Sequence, residues 1–168
     1  QINGVYFPQH WFLRYNSSIG PYANLHGLSV EKADFANLDL QGINLSDSYL
    51  PQIDLSNSNM TGSDFHGSIM RGADLSYAIL DDADLSHTDL RNDEEQMVFI
   101  RTYFLDTSMD NANLSYTKFA KKNHQDLKTS YSDLDLSTAT LTGIEATDLL
   151  NCPASLPFDW ECVNQQDD

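Results

Sequence analysis

The sequence predicts an all-β solenoid, and three observations carry that prediction. Every fifth residue from Leu25 is apolar: Leu25, Val30, Phe35, Leu40, Leu45, Leu50, Leu55, Met60, Phe65, Met70, Leu75, Leu80, Leu85 and Leu90. In a chain that is 40% hydrophobic, a run of that length arises by chance on the order of a few times in a million, so the period is the primary signal. The residue before each centre is Asp or Asn in ten of the fourteen units: Asn24, Asp34, Asp39, Asn44, Asp54, Asn59, Asp64, Asp74, Asp84 and Asp89. The two residues after each centre are mostly Ser, Thr, Gly, Asn, Asp or Gln.

Each unit therefore alternates in, out, in over three residues and then turns. Three alternating residues make a minimal strand, and the polar pair that follows is turn chemistry. A period of five matches neither the 3.6 of a helix nor the 2 of a strand. A chain that turns the same way every five residues must coil around its apolar side chains, which is a repeat architecture.

The units Ala73-Asp74-Leu75-Ser76-Tyr77, Ala83-Asp84-Leu85-Ser86-His87 and Ala112-Asn113-Leu114-Ser115-Tyr116 resemble the pentapeptide-repeat proteins, whose unit is Ala-(Asp/Asn)-Leu-x-x. The resemblance spans roughly residues 21–151. It implies a right-handed quadrilateral β-helix with four pentapeptides per coil and short N- and C-terminal caps. Coils about 4.8 Å apart would stack six deep into a rod of roughly 30 Å.

Residues 1–20 lack the repeat and hold Val5, Tyr6, Phe7, Trp11, Phe12 and Tyr15. They are expected to cap the first coil, because a solenoid's apolar end needs a cover; an exposed aromatic binding patch is the alternative. The next centre after Leu90 would fall on Glu95, so the repeat is expected to break near 91–97. Phe104, Met109, Leu114 and Phe119 then resume it one position out of phase. A second break is expected near 121–128, after which Leu136 and Leu141 are centres. Loops on a rigid scaffold often carry function, which makes Asp93, Glu94 and Glu95 candidate interaction residues. Residues 152–168 are expected to form a C-terminal cap and tail. Leu156-Pro157-Phe158-Asp159-Trp160 echoes Phe7-Pro8-Gln9-His10-Trp11, the expectation for a piece of a longer tandem array. The chain starts at Gln1 with no visible signal peptide, as a processed form or an excised piece would.

The charge is -16, from 25 acidic and nine basic residues. That excludes an ordinary nucleic-acid binder, which needs a basic footprint. No apolar run reaches the ~18 residues of a membrane span. Cys152 and Cys162 are the only cysteines. They are expected to close a small disulfide loop worth roughly 2–3 kcal/mol. That bond would place the protein outside the cytosol, as a secreted, periplasmic or thylakoid-lumen protein. Two free thiols in a cytoplasmic protein are the alternative. A zinc site is not expected from two Cys without a neighbouring His, and no cofactor is expected.

His10, His26, His66, His87 and His124 show no metal spacing, and His26 and His66 follow a centre directly, which points them outward. Sequons at Asn44, Asn59 and Asn113 are the repeat spelling itself, and Asn16 adds a fourth. Nucleophile and phosphate-loop motifs are absent. If residues twenty apart stack, Asp34, Asp54 and Asp74 form one outward column with Glu94 next in line. Asn24, Asn44, Asp64 and Asp84 form a second. The first column is a weak metal candidate through stacked carboxylates. Tyr49 and Ile69, standing where Asp or Asn is usual, form an outward apolar pair and a candidate contact.

The expectation is thus a non-enzymatic scaffold, exported or lumenal, that presents faces and loops to an unidentified protein partner. A DNA mimic acting on DNA gyrase or another type II topoisomerase is the alternative that the resemblance supplies, since some pentapeptide-repeat proteins act in that way. A divalent-cation-binding surface is the weaker third.

Overall fold

The computed structural model describes residues 19–91, 102–104, 107–119, 135–144, 153, 155–158 and 160. Over these residues the chain is a right-handed quadrilateral β-helix. Parallel bridges join residues twenty apart, Asn24 to Asn44 to Asp64 to Asp84 on the first face. Ser29, Tyr49, Ile69 and Asp89 make the second face, Asp34, Asp54 and Asp74 the third, and Asp39, Asn59 and Ile79 the fourth. Twenty residues are four pentapeptides, so each coil is one square turn.

The ladder is made by the residues flanking each bridge. Leu45 N–H donates to the Asp64 carbonyl at 2.7 Å, and Asp64 N–H donates to the Ile43 carbonyl at 2.9 Å. Corners close by a second bond within the coil: Leu28 N–H donates to the Leu25 carbonyl at 3.0 Å across His26 and Gly27. Gly27 has φ +70°, and all fourteen residues at this position from Tyr22 to His87 have positive φ. A positive φ at the third of four residues marks a type II turn. At Gly42 the Tyr22 ring of the preceding coil uses the missing side chain's space, since a Cβ there would lie 2.5 Å from it and the exposed ring would have to move.

The centres point inward and fill the coil axis. Thirteen of the fourteen are buried, and Val30 at the N-terminal end is half-buried. Each buried Leu, Phe or Met contributes about 1.5–3 kcal/mol by leaving water, but only when coils above and below cover it. The residues two before each centre also face inward, which explains why all but Leu28 and Leu38 are small or β-branched. Where they carry hydroxyls, most reach a carbonyl: Thr88 Oγ1 donates to Phe65 O at 3.0 Å, and Thr117 Oγ1 to Leu85 O at 2.6 Å. Ser63 and Ser68 are buried with no partner for their hydroxyls.

Past Leu90 the register changes. Asp74 pairs with Tyr103, Ile79 with Ser108, Asp84 with Asn113 and Asp89 with Lys118. The step is twenty-nine residues instead of twenty, so nine extra residues lie between Arg91 and Thr102. Asn113 then pairs with Thr140, a step of twenty-seven, and Asp135 with Ser155, twenty again. Phe104, Met109, Leu114, Phe119, Leu136 and Leu141 are buried centres, as the shifted phases predicted. One expectation is corrected: Tyr103 follows Asp74 in the third-face column, and Glu94 does not. The first 18 residues, both cysteines, Asp93, Glu94, Glu95, His10 and His124 lie outside the described residues.

Candidate functional site

With the axis filled by side chains, the chemistry of this chain lies on its outer faces. The Asp and Asn residues on those faces have a local task. Most turn the side chain back to accept the backbone N–H two residues on. Asp34 Oδ1 accepts from Ala36 at 3.1 Å, Asp54 from Ser56 at 3.0 Å, Asp74 from Ser76 at 3.0 Å, and Asn44 from Ser46 at 3.0 Å. The first N–H of the corner is thereby satisfied, as an Asx turn does. Asp and Asn interchange in the repeat because either supplies the acceptor. At two of the exceptions the need is absent: Ile19 and Tyr49 have no acceptor, and two residues after each stands a proline, Pro21 and Pro51, with no N–H to satisfy. Ile69 and Ile79 also lack the acceptor, and Arg71 and Asp81 follow them.

The third-face column Asp34, Asp54, Asp74 is formed as expected and half-buried. Each carboxylate is committed to its own corner, and among the described residues no group of three or more His, Cys, Asp and Glu side chains is placed to hold a metal ion. The column ends at Tyr103, which is exposed.

On the second face Tyr49 and Ile69 are paired across adjacent coils, with Tyr49 exposed and Ile69 half-buried. The next residue in that column, Asp89, is covered by two arginines. Arg91 Nε and Nη2 fork onto its two oxygens at 2.8 and 2.7 Å, and Arg71 Nε reaches Oδ2 at 2.8 Å. Burial pushes the Asp89 carboxyl up, but the hydrogen bonds from Arg91 and then Arg71 outweigh it and hold the group below the usual carboxylate range. This cluster sits where the chain leaves the ladder, since Arg91 is the last described residue before the nine-residue insertion. Asp135 is also held low, by the backbone and side-chain hydrogen bonds of Ser137.

The corner between the first and second faces carries His26, His66 and His87, all exposed. His26 Nδ1 lies 3.0 Å from Ser46 Oγ, and His66 Nδ1 lies 2.8 Å from Ser86 Oγ in the coil below. The His66 and His87 ring centroids are 5.2 Å apart, and His87 stacks on Tyr116 at 4.8 Å.

Sequence reasoning singled out Tyr49 and Ile69 but passed over Tyr77, Ile79, Tyr103 and Tyr116, which stand 41–49% exposed. A signal for two of them existed. Tyr77 and Tyr116 occupy the positive-φ corner position that Gly, Asn and Asp usually fill, and a bulky residue there carries a backbone cost.

The description "Pentapeptide repeats" matches residues 39–76 and 54–92, in eight copies. Residues 39–92 are pentapeptide repeats. Among solved structures it is similar to a pentapeptide repeat protein of the Arabidopsis thaliana thylakoid lumen, at 21% identity over 71% of this chain and 61% of that one, with a TM-score of 0.38. It therefore spans about three fifths of that protein's length. A pentapeptide repeat protein of the cyanobacterium Cyanothece 51142 is 14% identical over 82% of this chain and 89% of that one, with a TM-score of 0.36. The plasmid-mediated fluoroquinolone resistance protein QnrB1 is 17% identical over 73% of this chain and 63% of that one, with a TM-score of 0.27. At these scores the likeness carries no argument about role. No curated protein sequence matches the chain. Among the described residues no helix is long and apolar enough to cross a membrane.

Proposed function

We propose that this protein is a non-enzymatic, extracytoplasmic scaffold that offers its outer faces to a protein partner. The observation that carries this reading is the contrast between axis and surface. Phe35, Leu50, Met60, Phe65 and Leu75 are fully buried and fill the axis, while Tyr22, Tyr49, Tyr77, Tyr103 and Tyr116 are exposed along its length. An enzyme needs a concave pocket, and corner-filling side chains occupy the space where a coil would hold one. Tyrosines held on a rigid frame supply contact area at small entropic cost, which is why interfaces are enriched in them. The breaks in the repeat near 91–97 and 121–128 would add recognition elements to that frame, and the extracytoplasmic placement rests on the expectation that Cys152 and Cys162 form a disulfide.

The column Asp34, Asp54, Asp74 favours a second reading, a DNA mimic that acts on a type II topoisomerase. Two features weigh against it: the column stops at Tyr103, and Asp89 is neutralised by Arg71 and Arg91. A phosphate backbone has no such gaps. Inhibition of DNA gyrase supercoiling, titrated at low and physiological salt, separates the two. The scaffold reading expects no inhibition at tens of micromolar. Potent inhibition that weakens with salt would replace it with the mimic.

A further inference from the structure

We propose that His66 and His87 form a two-imidazole site for a divalent transition metal, with copper(II) preferred over nickel(II) and zinc(II). The two residues occupy consecutive corner positions in adjacent coils, the residue after a centre in one and the second after a centre in the next. Their rings are inclined at 73° with centroids 5.2 Å apart, and both are exposed. Each ring is held from behind. His66 Nδ1 lies 2.8 Å from Ser86 Oγ; in the tautomer whose Nδ1–H donates to that hydroxyl, Nε2 keeps its lone pair for a metal, the arrangement by which a second partner orients a ligating histidine. His87 lies nearly parallel to Tyr116, at 14°, which fixes its plane.

Gly67, between Asp47 and His87 in the corner column, has no side chain and leaves the space beside the pair to its neighbours. Asp47 leans into that space, with Oδ1 2.6 Å from where a Gly67 Cβ would be. Asp47 does not complete a three-donor set with the imidazoles, so water fills the remaining positions and the ion exchanges freely. The carboxylate and the charge of -16 raise the local cation concentration. Imidazole donors select copper, nickel and zinc over calcium and magnesium, and copper(II) binds tightest in that order.

The chain supplies its own control. His26 holds the equivalent corner position two coils earlier and has the same serine bond, at 3.0 Å to Ser46. Its neighbour in the next coil is Asp47, 4.0 Å away, where His66 has a second imidazole.

The test is calorimetric titration of the full chain with copper(II) in a non-chelating buffer at pH 7.5, with electron paramagnetic resonance of the loaded protein. His66→Gln and His87→Gln should each weaken binding by at least about tenfold, because each removes one arm of a bivalent contact. His26→Gln should leave binding unchanged. The copper spectrum should show coupling to two nitrogens in the parent chain and to one in either variant. Unfolding midpoints without metal confirm that the variants fold. Equal affinity in all four proteins, or loss in His26→Gln alone, overturns the site, as does a parent spectrum with oxygen ligands only.

Discussion

The outward Asp or Asn of each unit is a backbone partner before it is a charge. Asn59 shows this without electrostatic complication, because it is neutral and accepts from Thr61 N–H at 3.3 Å and Thr61 Oγ1 at 2.9 Å. Asn59→Ala strands that donor and should cost about 1 kcal/mol in urea unfolding. Adding Thr61→Pro removes the donor and should recover most of the loss, copying the Tyr49 and Pro51 pairing that the chain already uses. A double variant no more stable than Asn59→Ala would show that the side chain acts through something other than the corner N–H. The buried hydroxyls invert the case. The Ser68 hydroxyl has no hydrogen-bond partner and the residue is fully buried, in an inward position where the repeat elsewhere places alanine. Ser68→Ala should raise stability by about 1 kcal/mol, read as an increase in the urea midpoint.

At the level of the coil, the fourteen-unit frame was legible because one period held without a slip and each side chain followed its place in the unit. The breaks were legible only in part. A phase reports an insertion modulo five, so the one-position shift after Leu90 fits four extra residues as well as nine. The ladder supplies the missing multiple, and with it Tyr103 in place of Glu94. The arginine cover over Asp89 was equally hidden, because Arg71 and Asp89 are eighteen residues apart and meet only through the twenty-residue coil. That cluster leads to a pH prediction. The Asp89 pKa is lowered in the folded state, so between that value and the ordinary carboxylate pKa of about 4 the unfolded chain holds more protons than the folded one. The stability contributed by Asp89 is fully present above pH about 4 and is lost as pH falls through the folded pKa. Asp89→Asn should cost about 1.5–3 kcal/mol at pH 7, the range for hydrogen bonds to charged groups. The gap from the parent should narrow in urea midpoints taken from pH 5 to pH 3. A gap that stays constant would mean that the arginines stabilise this corner by packing alone.

For the molecule as a whole, the question is why a solenoid keeps carboxylates in register. Asp54 stands between Asp34 and Asp74 on the third face, with ladder spacing of about 4.8 Å to each neighbour. At that distance each like-charge pair costs roughly 1 kcal/mol even in bulk water. Asparagine would retain the acceptor for Ser56 N–H and remove the repulsion, and the repeat uses asparagine freely at Asn24, Asn44 and Asn59. Asp54→Asn should therefore stabilise the rod by about 1–2 kcal/mol at 10 mM salt. The gain should shrink sharply at 1 M, where the screening length falls to about 3 Å. Asp64→Asn is the comparison, because Asp64 has one acidic neighbour in its column, Asp84, and a neutral one, Asn44; its gain should be about half as large. If both substitutions are neutral at low salt, the corner hydrogen bonds spread the carboxylates far enough apart that the column costs nothing, and its charge needs no functional account. If Asp54→Asn stabilises as expected, the third face carries charge against its own stability, as sites selected for something other than folding do. The stretch ending at Tyr103 is then the first place to substitute when a partner is in hand.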